Sequence, residues 1–187
     1  LHRESLLLAA LYLEGGDWNQ VRAQAIDQNL LQAKTVTTLK RITREAIFRL
    51  KTLGPSELEF LFNGTHQEQA YMLWIATCRH YKFIADFSLE VVRERFITLK
   101  NVVNPDDFDI FFNQKAEWHP ELEKISLSSR NKLKQVLFRM LHEVGILGKD
   151  NSISPALIAP SLINALSNGN VKDISLFPIF DADIRGL

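Results

Sequence analysis

Almost every segment of the chain repeats its apolar residues at helical spacing, and almost none alternates as a strand would, which predicts an all-α protein. The sharpest period lies at 126–144, where Leu133, Val136, Leu137, Met140, Leu141 and Val144 share one face of a helix opened by the polar run 126–129. At about 100° per residue, the opposite side carries Asn131, Gln135, Phe138 and His142. Arg130 and Lys134 flank it on one edge, Lys132 and Arg139 on the other. Gly145 falls where a left-handed helix stop is wanted, and Ile146 where its hydrophobic contact follows. Ile146-Leu147 and Ser152-Ile153 then flank Gly148-Lys149-Asp150-Asn151, the residues of a short β-turn, so one short β-hairpin is expected.

The same reading places a helix at 4–13 ending on Gly15-Gly16, and a second capped by Asp17 with Trp18, Val21, Ala25 and Ile26 inward. A third, at 35–53, buries Val36, Leu39, Ile42, Ala46, Ile47 and Leu50. Its outer side aligns Lys40, Arg44 and Lys51, with Arg41 beside them and only Glu45 in opposition. Gly54-Pro55 breaks the chain before a short helix at 57–62, and a long helix at 65–80 turns Ala70, Leu73, Trp74, Thr77 and Cys78 inward. Phe83, Phe87, Val91 and Phe96 mark a helix ending near Lys100 from which Arg93 and Arg95 project. Asn104-Pro105-Asp106 starts another helix, with acids near the positive end of its dipole, and it buries Phe108, Phe111 and Phe112. Trp118 is expected to plug the core and Pro120 to start a new turn. Ser161 is expected to cap a helix to about Leu166, Asn168-Gly169-Asn170 to form a loop, and 174–184 to lie across the body as an irregular strap.

These elements suggest a compact helical bundle with a winged-helix-like C-terminal half: an N-terminal helical subdomain at 1–80, a winged-helix-like subdomain at 81–155, and a C-terminal helix and strap at 156–187.

Composition narrows the function without naming it. At 187 residues and 46% hydrophobic, the chain can build one compact core or two small ones. Its formal net charge is zero, so any nucleic-acid contact must come from charge sorted on the surface. A single cysteine, Cys78, excludes an internal disulfide framework and suggests a reducing compartment. No apolar run approaches the roughly 18 to 20 residues of a membrane span, and the richest, at 6–13, leads into another helix without a cleavage site. The chain opens on Leu1 without a methionine, so a few native residues are expected before it.

No catalytic constellation can be assembled: there is no glycine-rich phosphate loop, no nucleophile elbow and no histidine pair at metal spacing, and no cofactor is implied. Cys78 and His80 lack the further ligands zinc needs. His119, between Glu117 and Glu121, suits either acid-base work or a helix junction, and Asp106, Asp107 and Asp109 read as helix-start acids. The cationic helices have two readings each. Asn and Gln can pair with base edges while Lys and Arg neutralise phosphates, or the same faces are simply solvated.

Certain runs resemble the BrxA proteins of the BREX phage-defence systems. They are Arg3-Glu4-Ser5-Leu6, Tyr12-Leu13, Asp17-Trp18, 29–35, Phe108-Asp109, 111–122, 132–141, Phe177-Pro178 and Asp181-Ala182-Asp183, with Lys115-Ala116-Glu117-Trp118-His119-Pro120 the most specific. The resemblance implies a small, helical, cytoplasmic, non-enzymatic defence component, similar to the antitermination factor NusB and thought to bind DNA. An inner-membrane label sometimes given to the family finds no support in this sequence. The expected DNA-binding residues, read from the helical wheels and the turn and not from the resemblance, are Arg130, Asn131, Lys132, Lys134, Gln135, Arg139, His142 and Lys149, with Lys40, Arg41, Arg44 and Lys51. Double-stranded DNA and other BREX proteins are the expected partners, and a monomer the simplest state. The alternatives are a protein adaptor docking a larger subunit through Phe138 and the acidic tail, and a NusB-like RNA binder.

Overall fold

The computed structural model describes residues 1–166, 171–180 and 182–183; the loop expected at 168–170 and the tail residues Asp181 and Ile184 lie outside them. The protein is all-α and divides into two compact units, Leu1–Tyr81 with Ala159–Gly169 and Lys82–Ile158 with Asn170–Leu187. No helix among the described residues is long and apolar enough to cross a membrane.

The first unit begins with α1 (His2–Gly15), α2 (Trp18–Asp27), α3 (Val36–Leu50), α4 (Pro55–Asn63) and α5 (His66–His80). Local chemistry sets their ends. Gly16 takes the left-handed conformation that closes α1, with φ of 70°, and its N–H donates to the Tyr12 carbonyl. The carboxylate of Asp17 accepts from the Asn19 N–H at 2.8 Å, and Thr35 accepts from Thr38 at 3.2 Å. Thr65 and Glu68 form a reciprocal capping box on α5. The helices bury Leu8, Ala9, Val21, Ala25, Leu39, Ala46, Ile47, Leu50, Leu58, Leu61, Trp74 and Ile75. Trp18 stacks on Tyr12 at 4.0 Å. Val36, expected inside, is 62% exposed at the first position of α3, and the buried face of that helix begins at Leu39.

An ion pair with a fully buried carboxylate joins α4 to α5. Glu57, at the first turn of α4, is fully buried; its carboxylate takes two hydrogen bonds from Arg79 of α5, at 2.7 and 2.8 Å, and a third from the Gly54 N–H at 2.7 Å.

The second unit starts as one helical rod, α6 (Lys82–Phe87), a π-helical stretch (Ser88–Arg93) and α7 (Glu94–Ile97). The wider turn inserts one residue into the register, so the inward positions run Ile84, Ser88, Val92, Phe96 and it is Val92 that is buried, in place of Val91. Arg95 does not project freely; it pairs with Asp107 and donates to the Val102 carbonyl. Next come α8 (Pro105–Ala116), α9 (Pro120–Glu123) and α10 (Leu127–Val144). Phe83, Phe87, Phe108, Phe111 and Phe112 form an edge-to-face aromatic core, with centroid distances such as 5.1 Å for Phe83 and Phe111 and 5.3 Å for Phe87 and Phe111. Trp118 is no core plug. It is 82% exposed, since the turn after α8 carries it outward from a core the phenylalanines already fill.

After α10, Gly145 is left-handed with φ of 82° and Ile146 is buried, as a helix stop requires. Residues 146–154 then fold back: Leu147 bridges Ile153, the Gly148 N–H donates to the Ser152 carbonyl at 2.8 Å, and Val102 adds a bridge to Ser152. These are isolated bridges, without a named strand among the described residues. The chain returns to the first unit with α11 (Pro160–Ala165), where the capping position is Ala159. Ser161, one residue inside the helix, gives its hydroxyl hydrogen bond to Glu68 at 2.6 Å. α12 (Val171–Ile174) and the following residues rejoin the second unit, burying Ile174, Leu176, Phe177 and Ile179. The Ser88 hydroxyl, inside the π stretch, donates to the Leu176 carbonyl at 2.6 Å.

Breaking the buried pair tests how the first unit is held. Glu57→Ala takes the carboxylate from a largely buried guanidinium and should cost about 3 kcal/mol, read as a fall in the denaturant midpoint with an unchanged slope.

Candidate nucleic-acid interface

Helix α10 starts at Ser126, whose side chain accepts from the Ser129 N–H at 3.3 Å, and it buries Leu137, Phe138, Leu141 and Val144. The buried stripe is rotated by roughly 60° on a 100° wheel from the one the aliphatic residues alone suggest. Phe138, expected outward as a partner contact, is only 9% exposed and packs near Phe87 at 6.4 Å between centroids. An aromatic core attracts an aromatic side chain, and the helix turns to supply it.

That rotation carries Arg130 and Lys134 inward against α8. The Arg130 guanidinium donates from Nε and Nη2 to Asp109 Oδ1 at 3.2 and 3.0 Å, from Nη2 to the Asp109 carbonyl at 3.0 Å, and from Nη1 to Asn113 Oδ1 at 2.8 Å. It also lies 4.4 Å from the ring centre of Phe112. Lys134 Nζ meets the other oxygen of Asp109 at 2.5 Å. The Lys134 hydrogen bond, with Arg130 adding to it, holds the Asp109 carboxyl below the usual carboxylate range against the opposing effect of burial. All three guanidinium nitrogens of Arg130 are engaged, so these two cations join helix to helix.

What remains open to solvent is Asn131, Lys132, Gln135, Arg139 and His142, a single face along the helix. Lys132 donates to Gln135 at 2.9 Å. Arg139 lies 3.8 Å from Glu143, both more than half exposed, a pairing that costs little to open. His142 Nδ1 is 3.2 Å from the Leu147 carbonyl, tying the ring to the turn, and Lys149 is exposed at the tip of that turn.

In the first unit, Lys40, Arg41, Arg44 and Lys51 are all exposed on α3 and just after it. Among the described residues, no carboxylate lies within 4.0 Å of any of them. Glu45, the one acid of the helix, points elsewhere: it pairs with Arg49 at 2.6 Å and accepts from the Tyr81 hydroxyl at 2.5 Å. Burial pushes its carboxyl up, but the Tyr81 and Arg49 contacts outweigh this and hold it below the usual range. Burial and Glu45 together push the Tyr81 hydroxyl up to about 12.

Nothing in this arrangement resembles a reaction centre. His119 Nδ1 is 3.2 Å from Glu121, both well exposed. Cys78 is buried, and among the described residues no group of three His, Cys, Asp or Glu side chains is placed to hold a metal. Two residues that matter were not singled out for it from the sequence: Asp109, read only as a helix-start acid, and Asn113. Their i, i+4 spacing on α8 mirrors that of Arg130 and Lys134 on α10, and that match was the available signal.

Fold and site together define a two-unit, all-helical protein in which each unit presents a helix with solvent-facing cations. The BrxA family model matches residues 1–170, and the chain belongs to that family. It is similar to "BREX protein BrxA" of Escherichia coli O9:H4, 30% identical over 145 residues, covering 78% of this chain and 68% of the relative. The protein of the same name from Paramagnetospirillum magneticum is 29% identical over 77% of this chain and 72% of its own length. That from Bacillus cereus is 26% identical over 83% and 80%. The fold is shared with the crystal structure of an uncharacterized protein from Magnetospirillum magneticum, at a TM-score of 0.77 and 24% identity over 95% of this chain and 91% of that one.

The two classes of cation on α10 separate in a melting experiment. Arg130→Ala removes charge-assisted bonds and should cost about 2 kcal/mol, whereas Lys132→Ala should stay within about 0.5 kcal/mol. Acid titration checks the clamp. Asp109 ionises more readily folded than unfolded, so its contribution is complete above the ordinary carboxylate value of about 3.9 and is lost as pH falls through the lowered folded value. Wild type and Asp109→Asn should therefore differ in stability at neutral pH and converge in acid.

Proposed function

We propose that this protein is a non-enzymatic, cytoplasmic, double-stranded DNA-binding component of a BREX phage-defence system. DNA lies on the exposed face of α10, with Lys149 touching phosphate from the following turn; Lys40, Arg41, Arg44 and Lys51 of the first unit are a separate set of exposed cations suited to backbone contacts. The defence role is supported by family membership and by the name its relatives carry. The DNA reading rests on one observation: Asn131 and Gln135, amides able to make paired hydrogen bonds to an adenine edge, share an exposed helix face with Lys132 and Arg139. The order α8, α9, α10 and bridged turn supports a winged-helix arrangement of that face.

Arg130 and Lys134 serve this function differently from their neighbours. A phosphate reaching them must displace Asp109, so they orient the helix and the exposed cations carry the binding. A chain of zero net charge has no long-range field to add, which makes affinity modest and dominated by local phosphate contacts.

Fluorescence anisotropy with a labelled duplex checks this. Affinity should fall at least about tenfold between 50 and 200 mM salt, and Lys132→Ala with Arg139→Ala should weaken binding about tenfold without lowering the melting temperature. Salt-independent binding, or full affinity in the double variant, refutes the assignment. Structured RNA that outcompetes duplex DNA of equal length points instead to an RNA ligand.

A further inference from the structure

We propose that Trp118, with the carboxylates around it, is a docking site for a basic protein surface, one belonging to another component of the same defence system. The inference rests on family membership and is independent of the DNA reading. Of the three tryptophans, Trp74 is 1% exposed and Trp18 is stacked on Tyr12, but Trp118 stands 82% exposed.

Its backbone is held at every step. Glu117 N–H donates to the Asn113 carbonyl at 3.3 Å, Trp118 to Lys115 at 3.2 Å, His119 to Ala116 at 3.3 Å, and Leu122 to His119 at 2.8 Å. Pro120 fixes the start of α9, and Lys115 anchors the preceding turn, reaching Asp86 at 3.2 Å and Glu90 at 2.6 Å. The indole is thus carried on a preorganised turn, so little ordering entropy is lost when a partner covers it. Tryptophans of that kind are the usual anchors of protein interfaces.

Charge selects the partner. Glu117, Glu121 and Glu123 are all exposed within five residues of Trp118 in the chain, against one exposed cation in that stretch, Lys124, while Lys115 is already matched by two carboxylates. An acidic stretch of this kind repels phosphate and favours lysine and arginine on the partner. Leu127, just beyond α9, is a second exposed apolar side chain in the same stretch, at 72%.

The test mixes this protein with each other purified protein of its BREX system, reading affinity, its salt dependence and the emission of Trp118. One component should bind and shift that emission to the blue; Trp118→Ala should weaken it at least tenfold. Glu117→Gln, Glu121→Gln and Glu123→Gln combined should weaken it and flatten its salt dependence. Melting temperature and duplex-DNA affinity should hold in both variants, which separates this proposal from the DNA reading. The proposal fails if no component binds, if either variant binds like wild type, if Trp118→Ala instead dissolves a self-association seen by sedimentation, or if it weakens DNA binding in a folded protein.

Discussion

The second unit is organised around one carboxylate shared by two cations. Asp109 stands on α8 beside the aromatic core, and Arg130 and Lys134 reach it from successive turns of α10. Because Arg130 uses the Asp109 carbonyl and Asn113 as well, the contact fixes both the angle and the rotation of one helix against the other. A one-residue slip of α10 would move about 100° of helix face and expose Phe138. The polar clamp and the aromatic packing specify the same register, and agreement of this kind makes one arrangement much better than its competitors.

Two sorts of cation follow from that arrangement. Those facing Asp109 are spent on structure, and those a turn away face water with weak or no partners. The first unit reaches a similar outcome by another route: Glu45 is drawn to Arg49 and Tyr81, which leaves Lys40, Arg41, Arg44 and Lys51 without a neighbouring carboxylate among the described residues. In both units an acid is consumed internally, and what it does not neutralise defines the surface potential. Net charge, which counts all of these alike, conceals the difference.

Helix positions and caps were legible in the sequence because they are set by neighbours within a few residues: Asp17, Thr35, Pro105, Ser126 and Gly145 all mark the ends they suggest. The class of fold followed from the same local signals. The orientation of α10 was less legible, because a wheel weighs only the helix's own residues, whereas the buried side is chosen by what packs on it; Phe138 and the Arg130 and Lys134 pair were misplaced for that reason. The π turn at Ser88–Arg93, which buries Val92, is announced by no periodicity. Trp118 failed differently. Large aromatics are buried by default, and a sequence read without tertiary contacts cannot show that the phenylalanines of α6 and α8 have already filled the space.

Exposure of Trp118 has a physical cost that asks for a compensation. A side chain of that size left in water forgoes one of the larger burial terms available to a small core, while the turn that carries it is closed by backbone hydrogen bonds from Glu117, Trp118 and His119. Disorder does not explain it, and the surrounding glutamates make self-burial against the cationic face of α10 in another copy a weaker fit than it first looks, since the exposed cations there alternate with amides and carry Glu143 beside Arg139. A partner surface with denser positive charge satisfies both the indole and its carboxylates. On the two proposals made above, the second unit offers two chemically opposite contacts, a cationic helix face and an acidic aromatic turn, and a chain with no net charge would engage an anionic and a cationic partner through different residues.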